Sequence, residues 1–182
     1  MGSPFLIVVS GLPRSGTSMM MAVLQAGGIP LLQDDQRPAD QHNARGYFEY
    51  QPVLQLAEDN SWLSAGKAVK IVYRLLYHLP PIPTKILFMD RDLGEVVASQ
   101  QAMLGQPAAD FDWPALFGLE LKKVRDWLSR QTHIQVLEVS QRDFIDAPRS
   151  EARRVIDFLG LPLDLEAMAA AVDRSMVRQR KP

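Results

Sequence analysis

The chain has 182 residues, 47% of them hydrophobic, with 20 basic against 21 acidic side chains. That length suits one domain over residues 1–182, burying roughly 70% of the surface its unfolded chain exposes, and the apolar fraction excludes a disordered chain. A net charge of −1 excludes a globally basic nucleic-acid binder, and the lack of cysteine excludes a disulfide framework, a thiol nucleophile and a zinc–thiolate site.

No apolar run approaches the ~20 residues of a membrane helix. The opening Met1-Gly2-Ser3-Pro4 lacks the charged start of a signal peptide. A cytoplasmic protein with no transmembrane segment and no nucleic-acid partner is expected.

Phe5 to Val9 is a continuous, β-branched apolar run, which reads as a strand buried on both faces. A glycine-punctuated loop follows, then a helix from Ser18 to Ala26, stopped by Gly27-Gly28. Residues 28–46 are polar, proline-containing and aperiodic, and read as a long loop. Further strands are expected over Ala68 to Val72, Lys85 to Met89 and Ile134 to Val139. Helical patterns occupy 52–60, a segment from Asp92 through about Met103, and 113–130, 149–159 and 163–173. Strands alternating with helices predict an α/β fold, a three-layer α/β/α arrangement around a mostly parallel sheet. Met19, Met20, Met21 and Met103 read as core fillers, and Trp62, Trp113 and Trp127 as packing anchors.

Gly11-Leu12-Pro13-Arg14-Ser15-Gly16-Thr17-Ser18 has the glycine spacing of a phosphate-binding P-loop. Successive N–H groups turn inward at a helix N-terminus, where the dipole also favours an anion. Thr17 stands where a nucleotide hydrolase carries its lysine, so Arg14 is the cation within the loop. The plainer alternative is a strand–turn–helix whose glycines only permit a tight turn.

This loop, after a hydrophobic strand, resembles the 5′-phosphosulfate loop of the P-loop sulfotransferases. Three further segments fit the resemblance in the family's order. Leu87-Phe88-Met89-Asp90-Arg91-Asp92, followed by Val96-Val97 and Ser99, resembles the family's 3′-phosphate motif. Gly46-Tyr47-Phe48-Glu49, with Lys70 on the next strand, is a weaker match. Asp157 to Pro162 is similar to the late helix ending F-L-G-L of bacterial members. The chain lacks the family's G-x-x-G-x-x-K segment and is shorter than many members.

The resemblance implies sulfuryl transfer from 3′-phosphoadenosine 5′-phosphosulfate to a hydroxyl or amine by in-line displacement, leaving 3′-phosphoadenosine 5′-phosphate, with no metal required. Pro13, Arg14, Ser15, Gly16, Thr17 and Ser18 would hold the 5′ side, and Arg91 and Ser99 the 3′-phosphate. Arg14 and Lys70 would stabilise the leaving phosphate, and Glu49 would be the base, with His42 its rival. Bland alternatives stand beside each: an ion pair for Arg91 with a neighbouring aspartate, an ordinary helix serine for Ser99, a solvated carboxylate for Glu49, a snorkelling strand residue for Lys70. A small-molecule or carbohydrate acceptor is expected, recognised by 28–66 and 104–114. The basic tail from Arg174 to Lys181 reads as a frayed end, or as a segment folding over the 3′-phosphate. The rival functions are a small kinase or nucleotide hydrolase using ATP with magnesium, and a catalytically weak binding module.

Overall fold

The computed structural model describes residues 4–34, 46–104 and 111–172. His42, the tail from Arg174 to Lys181 and part of the 104–114 loop lie outside the described residues. Among the described residues five strands form one sheet: β1 (Leu6–Gly11), β2 (Leu31–Leu32), β3 (Ala68–Lys70), β4 (Thr84–Asp90) and β5 (Ile134–Ser140). Their order is β2-β3-β1-β4-β5, and every pairing is parallel. Six helices among the described residues accompany them: α1 (Thr17–Ala26), α2 (Leu93–Leu104), α3 (Trp113–Leu128), α4 (Gln141–Asp146), α5 (Pro148–Leu159) and α6 (Leu165–Ala170). The chain is thus α/β, as its alternation of strand and helix patterns predicts.

All six residues of β1 are buried because the strand is central and both its faces are covered. Alternation sends Leu6 and Val8, with Ile86 and Phe88 of β4, into a core shared with Val96 of α2 and Phe117, Leu121 and Val124 of α3. Ile7 and Val9, with Leu87 and Met89, face the opposite core, shared with Met20 and Leu24 of α1, Val155 and Leu159 of α5 and Met168 of α6. The connection leaving β1 runs through α1 toward β2 on one side, and that leaving β4 runs through α2 and α3 toward β5 on the other. Between β1 and β4 the strand order therefore reverses, and open α/β sheets take ligands in the crevice beyond such a point.

Several elements depart from the pattern. The strand expected through Val72 stops at Lys70, and Tyr73–His78 coils into a 3-10 turn. The helix expected over 52–60 is a 3-10 segment, Gln51–Gln55, started by Pro52. The supposed loop 28–46 contains the two-residue strand β2, too short to carry any periodicity. Helix α4 follows β5 directly; the Ser140 hydroxyl accepts from the Asp143 N–H and starts it. Met20 and Met21 are core residues and Met19 packs against them. Trp62 and Trp127 border the core, and Trp113, 36% exposed, lies at its rim, edge-on to Phe111 and tilted against the buried Phe117 ring.

Candidate functional site

The loop from Gly11 to Ser18 leaves the central strand at the crevice and enters α1. Its backbone is left-handed at Arg14 (φ 72°) and at Gly16 (φ 101°), with Ser15 between them outside that region. Alternation of this kind turns consecutive N–H groups to one side and makes a concavity for an anion. Gly16 caps α1 without a side chain, so the first-turn N–H groups of that helix depend on partners other than its own carbonyls. A Cβ on Gly11 would stand 2.6 Å from Ser15 Oγ and 2.7 Å from the Met89 carbonyl oxygen, so the loop's entry is closed to any larger residue. Ser15 is used differently from its neighbours. Its N–H donates to the Leu12 carbonyl at 3.1 Å, and its hydroxyl is buried without a hydrogen-bond partner.

The second motif meets the first directly. Arg14 Nε donates to Ser99 Oγ at 3.0 Å, across 85 positions of sequence. Arg91 lies just past the end of β4, and its Nη1 donates to the Arg14 carbonyl at 3.0 Å. Its Nε donates to Glu95 Oε2 at 3.1 Å, so among the described residues it pairs with Glu95 and not with the adjacent Asp90 or Asp92. Asp92 is occupied with the start of α2, its Oδ1 accepting from the Glu95 N–H. Gln100, the residue after Ser99, donates to the Pro13 carbonyl at 3.3 Å and further ties α2 to the loop.

The third segment lies against the same loop. Register places Lys70 opposite Val9 on β1, two residues before Gly11. Its neighbours Val69 and Ile71 point into one core, and Lys70 points to the other face, where its side chain is largely buried. The Lys70 ammonium donates to the Tyr47 carbonyl, which also accepts from the Ser18 hydroxyl at 3.3 Å. Lys70 Nζ is 3.8 Å from Glu49 Oε1. The chain reaches Glu49 through two left-handed residues, Gly46 and Phe48, and the second is uncommon for an aromatic side chain. Asp34 holds the segment from below: its N–H donates to the Glu49 carbonyl at 2.8 Å, and its carboxylate accepts from the Gln51 N–H at 2.6 Å.

Arg14, Arg91 and Ser99 thus form one hydrogen-bonded group at the crevice, and Ser18, Lys70 and Glu49 form a second around the Tyr47 carbonyl; the loop from Pro13 to Ser18, with Ser15, Gly16 and Thr17, joins the two. Sequence reading missed Asp34, Glu95 and Gln100. Glu95 was discoverable, because a carboxylate four residues after an arginine pairs with it if a helix begins between them; Asp34 carried no such signal.

Two charge clusters flank the site. Tyr73, in the turn after β3, donates its hydroxyl to the Glu120 carboxylate of α3, which also accepts from Arg74 at 2.7 and 2.9 Å. Burial first, then the hydrogen bond to Glu120, pushes the Tyr73 hydroxyl up to about 12. Beyond Arg91, an open polar hollow of about 430 Å³ is lined by Asp90, Arg125, Glu138, Ser140, Asp143 and Arg154. Arg125 is neutralised there by Glu138 and Asp90, at 2.9 Å each, and its guanidinium is held even more firmly protonated than usual, chiefly by Glu138.

Fold and site together define an α/β protein with a left-handed glycine loop at the turning point of a parallel sheet. Over residues 6–181 the chain matches the sulfotransferase domain family, and it belongs to that family. Comparison with curated proteins finds no match. Among the described residues, no helix is long and apolar enough to cross a membrane.

Proposed function

We propose that this chain is a sulfotransferase that takes its sulfuryl group from 3′-phosphoadenosine 5′-phosphosulfate and passes it to a small-molecule or carbohydrate hydroxyl. The observation that carries the reading is the direct joining of the two motifs, Arg14 to Ser99 and Arg91 to Arg14. A donor with phosphate at both ends of a nucleoside asks for two anion sites at a fixed spacing, and a loop hydrogen-bonded to the second motif supplies that rigidity. The residues fit such a donor: alternating backbone handedness at the first motif suits an anion, and three cations, Arg14, Lys70 and Arg91, are hydrogen-bonded to the loop or to the segments against it. The donor brings the activated sulfuryl group.

The chain's own groups divide the remaining work. Lys70 and Arg14 place positive charge beside the loop, where negative charge accumulates on the departing nucleotide. Glu49, 3.8 Å from the Lys70 ammonium, takes the proton from the acceptor hydroxyl. Ser18, through the Tyr47 carbonyl, fixes the distance between loop and base. A sulfuryl group carries less charge than a terminal phosphoryl group, so these side chains offset it without a divalent cation.

The test is calorimetric titration with 3′-phosphoadenosine 5′-phosphate and with ATP, each with magnesium and with EDTA. Tight binding of the bisphosphate that EDTA leaves unchanged is the expected result. Magnesium-dependent binding of ATP in its place would overturn the reading in favour of a kinase or nucleotide hydrolase.

A further inference from the structure

Two i,i+4 arginine–carboxylate pairs differ in a way that helix stabilisation alone does not explain. Arg142–Asp146 is a surface pair, its side chains 59% and 63% exposed. Arg91–Glu95 is withdrawn from water, at 9% and 14%. Withdrawing both charges carries a desolvation cost that a surface pair escapes, so a plain helix-stabilising role does not call for it. A carboxylate at this point also repels any anion that Arg91 would bind. What Glu95 contributes is geometric. With Nε held by Glu95 and Nη1 by the Arg14 carbonyl, two different nitrogens of one planar group are fixed, and the plane cannot rotate.

We propose that Glu95 is a positioning residue for the 3′-phosphate. It holds the Arg91 guanidinium in the plane that the phosphate requires, and so sets selectivity for a nucleotide phosphorylated at both positions. The proposal rests on the donor reading above. Glu95 does not touch the ligand; it acts through Arg91. The Asp92 cap and the backbone of α2 do not depend on its carboxylate, because the Asp92 bond is made to the Glu95 N–H.

The experiment measures binding of 3′-phosphoadenosine 5′-phosphate and of adenosine 5′-phosphate, by calorimetry, to the wild-type protein and to Glu95→Ala, Glu95→Asp and Glu95→Gln. The wild-type protein should prefer the bisphosphate. Glu95→Ala should weaken the bisphosphate about tenfold or more and change the monophosphate less than about twofold, the scale of one misdirected charge-assisted contact. Glu95→Asp keeps the charge but shortens the reach, and should show the same selective loss; it also serves if the alanine variant fails to fold. Glu95→Gln keeps an acceptor oxygen for Arg91 Nε and should restore most of the selectivity. Equal losses for both ligands would show a merely structural role and overturn the proposal. Unchanged or tighter bisphosphate binding in Glu95→Ala would overturn it too, leaving repulsion as the carboxylate's effect. A wild-type protein indifferent to the 3′-phosphate would overturn the donor reading itself, and the role of Glu95 with it.

Discussion

Gly11, at the loop's entry, and Gly28, just past the end of α1, offer a controlled comparison. Both have positive φ, 144° and 96°, so alanine at either position pays for a backbone that side chains disfavour, ~1–2 kcal/mol. At Gly28 nothing lies within 4 Å of an added Cβ, and the strain is the whole cost. At Gly11 the Cβ would meet Ser15 Oγ at 2.6 Å and the Met89 carbonyl oxygen at 2.7 Å. The serine can rotate away. The carbonyl belongs to backbone, and Met89 is the partner of Gly11 in the last rung between β1 and β4. Overpacking of this kind adds ~1–3 kcal/mol. Gly11→Ala should therefore be less stable than Gly28→Ala by about that amount in urea unfolding, with Tm lower by ~2–4 °C per kcal/mol at this chain length. Because Arg91 follows Met89 by two residues, Gly11→Ala should also weaken 3′-phosphoadenosine 5′-phosphate by about tenfold, while Gly28→Ala binds normally. Equal stability of the two variants, or unchanged binding by Gly11→Ala, would refute the steric argument.

Three further expectations concern other parts of the molecule. Glu49→Gln should leave bisphosphate binding intact and reduce turnover by ~10²–10⁴, measured as nucleotide release with an acceptor panel; undiminished turnover would remove Glu49 as the base. The Lys85 ammonium donates to the Phe158 and Leu159 carbonyls at 2.7 and 3.1 Å, between the rings of Phe5 and Phe158. Lys85→Met keeps the apolar stem but takes the ammonium from the Phe158 and Leu159 carbonyls, the Gly160 cap remaining, and should cost ~1.5–3 kcal/mol in urea unfolding; a loss under about 0.5 kcal/mol would contradict this role. Tyr73 is neutral in the fold up to about pH 12, whereas an unfolded tyrosine ionises near 10, so its contribution is intact below pH ~10 and is lost as pH rises toward 12. Ultraviolet titration should show one of the four tyrosines ionising late, and Tyr73→Phe should abolish that phase and flatten stability between pH ~10 and 12.

What the sequence by itself determined are features whose cause is local. The run from Phe5 to Val9 is apolar at every position, which only a strand covered on both faces needs, and β1 is central. Glycines at 11 and 16 mark positions where a side chain is excluded, and both are left-handed and tightly surrounded. The Arg91–Ser99 spacing was legible because a strand end and a helix start fix it within one short stretch.

Tertiary structure decided what depends on distant partners. Alternation along β3 could place Lys70 on a face, but only the pairing of β3 with β1 brings it beside the loop. That Lys70 and Ser18 share the Tyr47 carbonyl follows from a left-handed Phe48, which no propensity foretells. Likewise Trp113 sits at the rim, shared between the exposed Phe111 and the buried Phe117, and β2 exists only because β3 is there to pair with two leucines. Contacts spanning tens of residues are set by the packing of the whole sheet, and a window of sequence holds only one side of each.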